Sequence, residues 1–382
     1  MHRPELRAVW LSTAITFASL GLLGLSGCSS SGVKMAELQD FVPSAEVHRN
    51  WSDDIGSGEN LFFAPALFGK SVYVAGKSGA LMRLDAGKKV WRIDTGKALS
   101  AGVGSDGVAV VVATNEGEVI AYAADSGKLL WTSKVSSSVL APPLVSDNLV
   151  FIRSLDNAIF AFDSSDGVRR WIYQRDAPLL EVRSAAPPII SGSYLMAGFP
   201  GGKLVGLNLR TGVLQWEGAV AQPRGATELD RIADVASQPV QDINIICAVA
   251  YQGRVACYDL SSGGKLLWNK DISSSAGLDI SQNRVYVSDD KGTVHALDKD
   301  SGAQRWKQEA LSYRVLSAPT AIGNFVVVGD VKGVIHVLKA ATGELAARYS
   351  TDGTAISSSP RMLAGNLIVQ TTGGNIYSLE IK

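Results

Sequence analysis

A tryptophan returns about every forty residues along this chain. Trp51, Trp91, Trp131, Trp171, Trp216, Trp268 and Trp306 are spaced 40, 40, 40, 45, 52 and 38 residues apart, and Ala347 stands 41 residues further on, where an eighth would fall. Each later position has a turn glycine four residues before it: Gly87, Gly127, Gly167, Gly212, Gly264, Gly302 and Gly343. A period of this size marks one supersecondary unit copied many times. Such a unit cannot bury its apolar faces alone and must stack on its neighbours.

The stretch from Ala141 to Trp171 shows what the unit is. Ala141-Pro142-Pro143-Leu144-Val145 is a short apolar run, and Asp147-Asn148 is a turn pair. Leu149-Val150-Phe151-Ile152 and Ala158-Ile159-Phe160-Ala161-Phe162 are strand-forming runs, parted by Asp156-Asn157. Asp163-Ser164-Ser165-Asp166-Gly167 turns again before Val168-Arg169-Arg170-Trp171. Four short strands joined by Gly, Asn and Asp read as an antiparallel meander, with the glycines where a hairpin wants positive φ. No convincing helical apolar period follows the N-terminus. The repeat therefore predicts an all-β chain, an eight-bladed β-propeller of four-stranded antiparallel blades. Ser359 to Leu379 supplies only three strands of the last blade, so Glu46 to Trp51 is expected to complete it, closing the ring by pairing the N- and C-terminal strands.

The N-terminus is different in kind. His2, Arg3 and Arg7 precede an uncharged run from Ala8 to Leu25, and Leu25-Ser26-Gly27-Cys28 resembles a bacterial lipoprotein box. The expected organisation is a signal peptide over 1–27, a lipidated flexible tether over 28–45 with the lipid on Cys28, and the propeller over 46–382. Ser29, with no acid beside the cysteine, favours the outer membrane's periplasmic leaflet by the same resemblance. Lys plus Arg and Asp plus Glu are both 36, which gives no support for nucleic-acid binding. Cys247 and Cys257 flank a turn near Gln252-Gly253, and the unknown loop parity leaves a disulfide and two buried thiols equally open.

No catalytic motif, metal-ligand set or phosphate-cradling loop appears in a fitting context, so catalytic residues, metal and cofactor are all expected to be absent. His295 and His336, one repeat apart, read as strand residues near the central channel. The departures from regularity say more. The period stretches twice, at 176–183 and 222–236, each time after the Trp strand and before the next blade. Loops at equivalent places in consecutive blades leave one face of the ring side by side, and such insertions often mark its binding surface. The candidate partner-binding residues are Leu180, Val182 and Arg183 in the first loop, and Glu228, Asp230, Arg231 and Asp234 in the second. An Arg beside apolar side chains, facing acids, suits a partner anchored on the arginine. An Arg–Asp contact tying the two loops together is the structural alternative.

These two loops carry a family resemblance. Asp176-Ala-Pro-Leu-Leu-Glu-Val-Arg183 resembles a D-x-P-x-L-x-L-R stretch, and Ala226-Thr-Glu-Leu-Asp-Arg-Ile-Ala-Asp-Val235 resembles S-T-E-I-D-R-L-S-D-V, both of the BamB family of propeller lipoproteins. The first loop is one residue shorter after Arg183, and Ala236 replaces a frequent second acid. The resemblance runs from Cys28 to the C-terminus. It implies a non-enzymatic scaffold of the machinery that inserts β-barrel proteins into the outer membrane. The implied partners are the periplasmic POTRA domains of BamA, the rest of the assembly complex, unfolded barrel precursors, and the membrane through the lipid. Leu180, Val182, Arg183 and Asp234 are the implied contacts. The repeat is shared with quinone-cofactor dehydrogenases, which makes a periplasmic dehydrogenase the competing expectation, ahead of a generic ligand-binding propeller.

Overall fold

The computed structural model describes residues 34–59, 63–176 and 178–382. The expected signal peptide over 1–27 and the expected lipid site at Cys28 lie outside them. Residues from Met35 onward form one unit of eight four-stranded antiparallel sheets. Blades 1 to 8 begin at Ala66, Leu99, Leu144, Ile189, Val240, Gly277, Thr320 and Arg361. In blade 8, three strands from the C-terminus pair with Val47–Asp54 from the N-terminus, Val47 lying opposite Ile381. The first strands of successive blades touch one another, so they form the inner ring, and the tryptophan strands lie outermost.

The period is explained by what each tryptophan meets. The indole of one blade lies against the turn glycine of the next. A methyl group on Gly87, Gly167, Gly212, Gly302 or Gly343 would come within 2.5 Å of the preceding blade's ring. The indole N–H then donates to a carbonyl beside that turn: Trp131 to Ser164 at 2.8 Å, Trp171 to Leu209 at 3.1 Å, Trp306 to Ala340 at 2.9 Å. Tryptophan and glycine are thus two halves of one joint across each blade boundary, and apolar clusters fill the boundaries between them.

The same joint accounts for the missing eighth tryptophan. Ala347 belongs to blade 7, whose neighbour across the boundary is blade 8. Blade 8 has no turn between its third and fourth strands, because the chain's two ends meet there. With no turn glycine to meet, an indole has no seat, and Ala347 instead joins an apolar cluster that includes Ala45 and is flanked by Val47 and Ile381.

Gly264 allows a test with a built-in control. Its added methyl would overlap the Trp216 Nε1, at φ +79°, whereas its neighbour Gly263 has φ +73° and open space around it. Gly264→Ala is expected to cost about 2–4 kcal/mol by overpacking and strain, and Gly263→Ala about 1 kcal/mol by strain alone. Equal denaturation midpoints for the two variants would remove the joint from the account.

Three expectations are refined. The propeller unit takes up Met35 to Ala45, which shortens the expected tether of 28–45: Ala36 N–H donates to Ser312 O, and Ser44 and Ala45 N–H to Ala346 O. His295 and His336 lie in third strands, away from the inner ring, and each bonds the aspartate of the turn before its strand, Asp289 and Asp330, at 2.9 Å. Cys247 and Cys257 lie directly opposite across the five-residue loop 250–254, buried and disulfide-bonded. The odd loop settles the parity that the sequence leaves open.

Candidate functional site

Antiparallel alternation puts every link between a fourth strand and the next blade's first strand on one face, together with every turn between second and third strands. Both long connections therefore emerge on this loop face, 175–188 between blades 3 and 4 and 220–239 between blades 4 and 5.

Asp234 joins them. It is buried, and each carboxylate oxygen accepts a backbone N–H: Val182 at 2.7 Å from the first loop, Gly201 at 3.0 Å from the turn of blade 4. Its own backbone bridges to Tyr251 in blade 5. Two residues along the first loop, Ser184 Oγ donates to Ala236 O at 3.1 Å. Arg183 thus sits between two cross-loop hydrogen bonds, with its side chain exposed. The same two loops expose apolar side chains, Leu179 at 86% and Leu180 at 46% in the first and Leu229 at 62% of full accessibility in the second.

The acids of the second loop are spent locally. Asp230 accepts from the Thr227 hydroxyl, which holds its carboxyl below the usual range, and Glu228 pairs with Arg231 at 3.0 Å. All three are exposed, while Val182 is half-buried. One candidate needs correction: Asp234 does not face outward as a partner contact. It is a staple between the loops, buried, with each carboxylate oxygen already accepting a backbone amide. The expected Arg–Asp tie takes the form of a backbone amide to Asp234, with Arg183 left pointing outward.

Arg153 belongs to the site and was missed. It ends the second strand of blade 3, buried beneath the first loop, over the Phe199 ring at 5.1 Å. Burial lowers its pKa to about 10, partly offset by Glu181 and Asp234, so it keeps its charge at neutral pH. Glu181 is held in turn by Asn157 at 2.7 Å. Arg153, Asn157, Glu181 and Asp234 line a shallow cleft whose water-accessible volume is about 10 Å³, room for about one water. Among the described residues, no group of three or more His, Cys, Asp or Glu side chains is placed to hold a metal.

What the described residues of this face offer is an exposed, mixed apolar and cationic surface over a small polar cleft. The sequence profile described as outer membrane protein assembly factor BamB matches residues 77–308 and 274–382. An outer membrane protein assembly factor BamB of Bordetella pertussis is 42% identical over 367 residues, covering 94% of this chain and 95% of that one. This chain belongs to the BamB family. The crystal structure of BamB from Moraxella catarrhalis superposes with a TM-score of 0.82 at 26% identity, covering 88% of this chain and all of that one. A europium-containing methanol dehydrogenase superposes at 0.73 with 13% identity over 87% of this chain and 93% of its own, a likeness of fold alone.

Proposed function

We propose that this chain is a non-enzymatic scaffold of outer-membrane protein assembly, anchored by lipid on Cys28 and docked through its loop face onto the POTRA domains of BamA. Family membership supports the assembly role and a place at the periplasmic side of the outer membrane. The observation that carries the docking reading is the clamp on Arg183. Two cross-loop bonds fix the backbone on either side of it, so an exposed arginine is held in place on a pair of loops that also expose Leu179, Leu180 and Leu229. An anchor held in advance loses little side-chain freedom on binding, and arginine with leucine suits a helix or strand edge bearing an acid.

Arg183→Glu is expected to lower co-purification with BamA at least tenfold. The side chain is exposed, so the unfolding midpoint stays within about 0.5 kcal/mol of the parent. Full recovery of BamA with the variant would remove Arg183 from the interface.

A further inference from the structure

A second surface lies on the same face, at the blade 6–blade 7 edge, and the two-loop site leaves it unexplained. The connection from Glu309 to Leu316 buries Leu311, Arg314 and Leu316. That phase forces Tyr313 and Val315 outward, at φ +57° and +50°, 39% and 69% exposed. A β-branched residue with positive φ is an outlier, and such strain persists only where its surroundings impose it. They do: Tyr313 N–H donates to Lys291 O at 2.7 Å, Val331 N–H donates to Arg314 O at 3.1 Å, and the Arg314 guanidinium is held by buried Asp330.

The flanking turns each display a lysine, Lys291 and Lys332, both exposed and neither in an ion pair among the described residues. Of the nearby acids, Asp289 is held by His295 and Glu309 by Lys307, while Asp290 accepts from Ser273 and Ser275 and keeps its charge. Ala36, close to the start of the described residues, is held at this spot. Ala36 N–H donates to Ser312 O at 2.9 Å, and Arg314 Nη1 donates to Ala36 O at 2.8 Å. Cys28 lies eight residues before Ala36, at most ~28 Å of extended chain.

We propose that Tyr313, Val315, Lys291 and Lys332 form a membrane-contact edge that rests on the anionic phospholipid surface. Tyrosine and an aliphatic neighbour suit the interfacial zone, and unpaired lysines suit lipid phosphates. The short chain to the lipidated position keeps the patch within reach of that surface. The proposal rests on lipidation of Cys28 and adds that the ring itself touches the bilayer with a defined edge.

The test uses the full lipidated chain in phosphatidylethanolamine–phosphatidylglycerol vesicles with brominated acyl chains. Lipid occupies Cys28 and the disulfide occupies the other two cysteines, so Val315→Cys supplies the one free thiol for a fluorophore. Val108→Cys, 75% exposed on the opposite face, is the control. Quenching of at least twofold is expected at 315 and none at 108, and Lys291→Glu with Lys332→Glu should reduce it. Vesicle-bound protein without quenching at 315 overturns the proposal alone, as does shielding at 315 that appears only when BamA is added. Protein that fails to float with the vesicles overturns the lipidation and the proposal together.

Discussion

Replacing Asp234 with alanine is expected to lower docking about a hundredfold while the ring stays folded. The carboxylate holds the Val182 amide of one loop and the Gly201 amide of the turn between them. Each buried amide left unpaired costs about 1–3 kcal/mol, and the loss falls on the first loop, the blade 4 turn and buried Arg153, which loses one of the two acids that offset its burial. The eight blades keep their joints, so far-UV circular dichroism and tryptophan emission should match the parent. The loops, once released, sample many relative positions, and the population that presents Arg183 correctly falls with them. Amide hydrogen exchange separates this account from direct contact. A staple predicts faster exchange at Val182 and Gly201 in the isolated protein, before any partner is added. Unchanged exchange with lost docking would return Asp234 to the partner interface. Asp234→Asn should fall between the two, since its oxygen can serve one amide while its NH₂ opposes the other.

The propeller was legible because each blade boundary makes the same demand, a large indole on one side and a positive-φ glycine on the other. Even the lapse at Ala347 carries information, since it marks the boundary where the chain ends replace that turn. The two insertions were legible as stretches of an otherwise steady period. What faced where within them was not. Glu228, Asp230 and Asp234 lie in one polar run, and only the fold shows that the third turns inward onto backbone amides. Arg153 closes an apolar strand, where a charge reads as the strand's solvent end, but the first loop folds over it. Residues 35–45 show no strand pattern because their partners, Arg314 and Arg348, come from about three hundred residues downstream. Sequence periodicity reports on contacts that recur, and each of these is made once.

The buried ion network under the membrane-contact edge should be the costliest single site to break. Asp330 is fully buried, and its Oδ2 accepts from Arg314 Nε at 2.6 Å and His336 Nε2 at 2.9 Å, while Oδ1 takes the Lys332 and Val334 amides. A carboxylate cannot donate, so His336 presents its Nε2–H here. Burial pushes the Asp330 carboxyl up, but these hydrogen bonds outweigh it and hold the pKa below its usual value. Burial likewise lowers His336, which leaves a neutral ring beside one full ion pair. Asp330→Ala removes the carboxylate of that network and strands Arg314 beneath the surface. The expected loss is about 3–5 kcal/mol, the range for a buried pair deprived of one partner. Arg314 also holds the Ala36 carbonyl, so limited proteolysis of the folded variant should open first between residues 35 and 46. A variant that loses under about 1 kcal/mol by denaturant unfolding, with residues 35–46 still protected, would show that the apolar boundary of blade 7 carries this region without its ions.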